Sequence, residues 1–152
     1  AITGAFSWSA TVAGAYDFSV EVSDGNGGVD SESVSVTVTH ATLAKIAVAA
    51  VPAALLAGQT STVTVTAQDQ YGNTVTDDNA TVAVLSTDGG GSLGSTVLTM
   101  VNGIAATTLT KATAGAVHVN ASAPSLAPVE TLVTFTSGAA ATIGTHPASS
   151  AS

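Results

Sequence analysis

Apolar and polar residues alternate one for one along most of this chain, and a two-residue period restricts it to β-strands with one buried face. From Ala15 to Ser23, Tyr16, Phe18, Val20 and Val22 share one face, while Ser19, Glu21 and Ser23 take the other. Ser33 to Thr39 repeats the pattern, with Val34, Val36 and Val38 inward. Asp24-Gly25-Asn26-Gly27-Gly28 separates the two runs and is a strong hairpin signal. Ala5 to Ala10, with Phe6 and Trp8 alternating, reads as a third strand ahead of them.

The alternation restarts after Ala41. Ala44 to Val51 reads as a strand ended by Pro52, with a loop following through Ala57-Gly58. Ser61 to Gln68 places Val63, Val65 and Ala67 inward, and Gln70-Tyr71-Gly72-Asn73 is a turn. Ala80 to Ser86 is expected to turn Val82 and Val84 inward, before a glycine-rich break at Asp88 to Gly91. Thr96 to Val101 and Ile104 to Lys111 flank Asn102-Gly103, a pair suited to a two-residue turn because both residues tolerate positive φ. Ala116 to Ser122, with His118 outward opposite Val117 and Val119, and Val129 to Ser137 complete the set, with Pro124 and Pro128 confined to their connection. Short strands at this spacing, with no amphipathic helix among them, predict an all-β sandwich.

The 152 residues divide into a partial unit at 1–40 (its last three strands), a complete sandwich at 41–137, and a linker or start of a further module at 138–152. Hydrophobic residues reach 45%, so a packed core is available, whereas charged residues are only 8%. The surface must then be hydrated by Ser, Thr, Asn and Gln. The net charge of −8, with two lysines and no arginine, disfavours nucleic acid and anionic membranes, which require clustered cations. Acidic surfaces attract cations instead, Ca²⁺ above all. Absence of cysteine removes thiolate metal sites and cysteine nucleophiles. Ala1 opens directly into a β-like segment with no signal peptide, so the chain reads as a mature product or an interior piece of something longer.

Particular residues carry a family resemblance. Ala57-Gly58-Gln59, Val63-Thr64-Val65-Thr66-Ala67, Asp69-Gln70-Tyr71-Gly72-Asn73, Asn102-Gly103-Ile104-Ala105 and Thr113-Ala114-Gly115-Ala116-Val117 occur in order across 41–137. This segment resembles the group 1 bacterial Ig-like domain, the repeat of intimin- and invasin-type adhesins; the Asp88 to Gly91 stretch departs from its pattern. Phe6-Ser7-Trp8, Ala13-Gly14-Ala15-Tyr16-Asp17-Phe18 and Val22-Ser23-Asp24-Gly25-Asn26-Gly27-Gly28 make 5–39 similar to the C-terminal part of a putative-Ig or cadherin-like surface repeat. The resemblance implies tandem immunoglobulin-like β-sandwiches, the first incomplete in this chain. It further implies an extracellular, non-catalytic stalk, adhesin, surface layer or filament that works by spacing and self-assembly. In such a domain Tyr16, at the start of the penultimate strand, can return its hydroxyl to the chain as a tyrosine corner. Trp8 and Phe18 would share the same interior, and Val117 takes the corner position in the second domain, where no corner is expected.

Three strands cannot close a sandwich. Missing strands would come from upstream in a longer repeat protein or from a neighbouring copy by strand donation, which makes other modules of the same surface protein the expected partners. The candidate Ca²⁺ ligands are Asp24, Asn26 and Asp30 around the first hairpin and Asp69, Asn73, Asp77 and Asp78 in a second loop region, set against ordinary Asx-turn roles. Gly90-Gly91-Ser92-Leu93-Gly94 matches the nucleophile-elbow spacing, but a strand and not a helix is expected to follow. His40, His118 and His146 have no metal-ligand spacing. Asn79 and Asn120 head N-glycosylation sequons, and Lys45 and Lys111 are the available isopeptide amines. Two rival expectations remain: a module gripping a carbohydrate or receptor through its loops, and an accessory domain of a larger secreted enzyme.

Overall fold

A computed structural model describes residues 5–139, and every regular element in that range is a strand. β1 (Gly14–Ser23) and β2 (Val29–Val38) pair antiparallel as an isolated two-stranded sheet, with Phe18 opposite Val34 and Tyr16 opposite Val36. The expected third strand at Ala5 to Ala10 does not form. Those residues lie outside any strand, although Phe6 and Trp8 still pack on the hairpin's aromatic face. Alternation selects a face, but a strand also needs a hydrogen-bonding neighbour, and none adjoins this segment among the described residues.

The second unit is a closed sandwich of two sheets. β3 (Lys45–Val51), β5 (Thr60–Gln68), β9 (Ile104–Thr110) and β7 (Ser92–Leu93) form one sheet in the order β3-β5-β9-β7. β4 (Ala54–Leu56), β11 (Val129–Thr136), β10 (Gly115–Ser122), β6 (Val82–Thr87) and β8 (Val97–Thr99) form the other in the order β4-β11-β10-β6-β8. β4 falls where the sequence predicts a loop. Pro52 has no N–H to donate, so the ladder with β5 ends at Val51; the chain then crosses to the opposite sheet and runs parallel to β11. Three residues are too few for periodicity to reveal such a strand.

Between the sheets lie Ile46, Val63, Val65, Ala67, Leu85, Met100, Leu109, Val117, Val119, Val133 and Phe135, all buried. Full burial of one such large side chain stabilises the fold by roughly 1.5–3 kcal/mol. The inward positions expected on β5 and β10 are the buried ones, and His118 points out between Val117 and Val119. On β6 the expectation was off by one residue. Ala83 and Leu85 are buried, whereas Val82 and Val84 are exposed at 37% and 49%. Both faces of this run are apolar, so alternation cannot choose between them. Leu85 fills more core volume than valine, and a one-residue shift reverses every side chain.

Asn102 and Gly103 have φ of 51° and 75°, as a type I′ pair requires. The turn does not close a hairpin within one sheet, however. Beyond the Val101–Ile104 bridge, β8 joins β6 and β9 joins β5, so Asn102-Gly103 hands the chain from one layer to the other. A Cβ on Gly103 would collide with the carbonyl of Val75.

Candidate functional site

Two features of the first unit stand out: an uncovered apolar face and a polar junction that ties the hairpin to the sandwich. The face follows directly from alternation in β1 and β2. Phe6, Trp8, Phe18, Val20, Val34 and Val36 line an open groove of about 260 Å³. Trp8 meets Tyr16 and Phe18 edge-on, with centroids 4.8 and 5.0 Å apart, and Phe6 meets Phe18 at 5.7 Å. These are favourable aromatic geometries, yet Phe6 remains 76% and Trp8 39% exposed. The Tyr16 hydroxyl donates to the Val12 carbonyl at 2.8 Å, the back-bonded geometry of a tyrosine corner.

The junction is built on the turn after β5. Asp69 is fully buried, and its carboxylate accepts four hydrogen bonds. Oδ1 takes the N–H groups of Tyr71 and Asn73, each at 2.9 Å. Oδ2 takes Asn73 Nδ2 at 2.8 Å and the Ala41 N–H at 2.9 Å. Burial alone would raise its pKa. The bonds from the Asn73 side chain and from the Ala41, Asn73 and Tyr71 amides outweigh burial and hold the carboxyl well below the usual carboxylate range. The Asn73 carboxamide also reaches the chain entering the hairpin: Oδ1 accepts from Ala13 N–H at 2.9 Å and Nδ2 donates to the Thr11 carbonyl at 2.8 Å. His40 Nε2 lies 3.3 Å from Asp77 Oδ1 on the same side.

The residues considered for calcium are placed as follows. Asp24 Oδ1 accepts the N–H groups of Asn26 at 2.7 Å and Gly28 at 2.9 Å, and these amides lower the Asp24 pKa. Asn26 Nδ2 donates to the Asp24 carbonyl, and Asp30 sits in β2 opposite Val22. Asp78 Oδ1 caps the N–H groups of Ala80 and Thr81; burial raises its pKa, but these bonds bring it below the ordinary value. The second oxygen of Asp78 is buried without a hydrogen-bond partner among the described residues, and Asp77 lies against His40. No cluster of three or more His, Cys, Asp or Glu side chains able to hold a metal occurs among the described residues.

The other candidates have local roles. Ser92 opens β7, which pairs with β9, so the glycine-rich run lacks the strand–turn–helix setting of a nucleophile elbow. His118 lies 3.8 Å from Glu130 on the outer face of the sandwich, and His146 is outside the described residues. Lys45 and Lys111 donate to the carbonyls of Gln70 and Gly89. Asn79 is exposed, but its carboxamide accepts from Asn102 N–H and donates to the Asp77 carbonyl. Asn120 is half-buried on β10. Thr11, Ala13 and Ala41 take part in the junction only through their backbone, so side-chain chemistry gave no sign of them.

No family model matches the sequence, and no curated protein does. Solved structures share the fold. A glycosyl hydrolase family 2 member from Bacteroides cellulosilyticus superposes with TM-score 0.60 at 15% identity, over 73% of this chain and 16% of that one. A β-glucuronidase from Parabacteroides merdae gives 0.57 at 18%, over 82% and 16%. The D00–D0 domain of intimin gives 0.53 at 19%, over 80% and 64%. The chain thus has an all-β immunoglobulin-like architecture shared with intimin, and it spans about a sixth of the hydrolases it resembles. At these identities the likeness concerns fold.

Proposed function

We propose that the chain is a structural repeat of the group 1 bacterial Ig-like type, part of an extracellular surface stalk, layer or filament that acts by spacing and self-assembly. One observation carries this reading: a closed sandwich directly follows a hairpin whose interior face is uncovered. The last two strands of the sandwich, β10 and β11, pair antiparallel and bury Val117, Val119, Val133 and Phe135 against the opposite sheet. β1 and β2 repeat that arrangement, with Tyr16, Phe18, Val34 and Val36 on the corresponding face and no sheet across from them among the described residues. The occupant that fits is a set of β-strands from an adjacent module of the same surface protein, presenting a valine- and aromatic-rich face. A hairpin alone is marginal in water, and an apolar face of this kind invites pairing. Electron microscopy of the native material tests the reading. Regularly spaced rods or an ordered lattice support it; isolated monomers that bind a sugar contradict it and favour a carbohydrate-binding adhesin module.

A second reading, an accessory domain of a larger secreted enzyme, draws on the superposition with glycosyl hydrolase family 2 chains. The intact mass and sequence of the native polypeptide separate the two readings: a linked catalytic domain favours the enzyme.

A further inference from the structure

The turn from Asp69 to Asn73 has a geometry unlike the other turns of the sandwich. An ordinary turn satisfies its own backbone. This one directs one carboxylate and one carboxamide at both chain segments that lead into and out of the hairpin. On the entry side, Asn73 pairs with the backbone of Thr11 and Ala13 through one accepted and one donated bond, imitating a short β-ladder. On the exit side, Asp69 Oδ2 receives Ala41 N–H, three residues beyond the end of β2. Asn73 Nδ2 also donates to Asp69 Oδ2, which joins the two grips into one network. Tyr16 fixes Val12 between the two tethered backbone positions, and His40 beside Asp77 adds a further contact at the exit.

We propose that Asp69 and Asn73 form a metal-free bracket that fixes the orientation of the hairpin unit relative to the sandwich. A linker held at one point can still swivel about it. A linker held on both the incoming and outgoing strands loses that freedom, so the bracket converts two flexible crossings into one rigid joint. Charge-assisted bonds from amides to a buried carboxylate are strong and directional, and they take the oxygen positions a junctional cation would otherwise occupy. Asp69 and Asn73 are therefore positioning residues for the angle between modules. The bracket belongs to this chain alone, so its failure leaves the surface-array reading standing, and the converse also holds.

The absence of native cysteine makes the test direct. Spin labels are placed on the full chain at Ser33→Cys on β2 and Ser86→Cys on β6, both exposed positions. Pulsed electron paramagnetic resonance then reads the distance distribution between the two units. The background protein is expected to give a single narrow peak, unchanged by EDTA or by millimolar Ca²⁺. Asn73→Ala is expected to lose that peak for a broad distribution while the sandwich keeps its unfolding transition. Ala13→Pro removes one tethering N–H from the hairpin side without touching the sandwich, and it decides the matter where Asn73→Ala impairs folding. Tyr71→Ala, at an exposed side chain of the same turn, is expected to leave the peak as it was. A broad distribution in the background protein, or a peak unchanged by both bracket variants, overturns the bracket. Broadening by EDTA overturns its metal-free character.

Discussion

Phe135→Ala tests whether the sandwich core is the main source of cooperative stability. Phe135 is 1% exposed on β11, opposite Gly115 on one side and Leu55 on the other. Truncating a buried phenylalanine costs about 3–5 kcal/mol, the transfer term plus the cavity. A domain of this size shifts its melting temperature by about 4–8 °C per kcal/mol, so a fall of about 12–40 °C is expected. Against total stabilities of about 5–15 kcal/mol, such a loss removes at least about a fifth of the total. The assay is thermal unfolding of the full chain by far-ultraviolet circular dichroism, with tryptophan fluorescence in parallel. Trp8 is the sole tryptophan and lies on the hairpin, so its emission reports the first unit and should keep its wavelength in the variant. A loss under about 1 kcal/mol, below the range for a filled core site, would refute the packing assigned to Phe135.

The remaining predictions concern backbone, charge and metal. Gly103→Ala places a Cβ against the Val75 carbonyl at positive φ; it should cost roughly 1–3 kcal/mol in denaturant unfolding, and a neutral result would contradict the turn geometry. Asp69 has a folded-state pKa below its unfolded value of about 3.9, so its stabilisation is complete above that pH and is lost as pH falls through the acid range. Asp69→Asn should therefore flatten the acid limb of a melting-temperature profile, and an unchanged limb would show that the carboxylate network does not form. Both oxygens of Asp69 and Oδ1 of Asp24 are occupied by N–H donors, so millimolar Ca²⁺ should leave the melting temperature unchanged; a rise would restore the cation sites.

Alternation in β5 and β10 was enough to place Val63, Val65, Val117 and Val119 in the core, because Thr62, Thr64 and Thr66 around the first pair and His118 and Asn120 beside the second leave one choice of face. The same signal misled on β6, where valine, alanine and leucine supply apolar residues to both faces. β4 and the layer-switching role of Asn102-Gly103 were hidden because three-residue strands and partner choice are set by tertiary pairing, not by local period. Asp69 and Asn73 stood out from the sequence as oxygen-bearing side chains, and an i, i+4 spacing across a turn suits either a cation or a backbone cage. What they bind depends on Thr11, Ala13 and Ala41 arriving from distant parts of the chain, which no local pattern encodes.

Amide hydrogen exchange on the full chain, residue by residue, tests most directly the division into a self-sufficient sandwich and a hairpin that needs strands from outside. The amides bonded within the β5–β9 and β10–β11 ladders should open only with global unfolding, while those of the β1–β2 ladder exchange orders of magnitude faster. Equal protection in both ladders would mean that residues 5–38 are already a complete folded unit, contrary to everything inferred from their uncovered face.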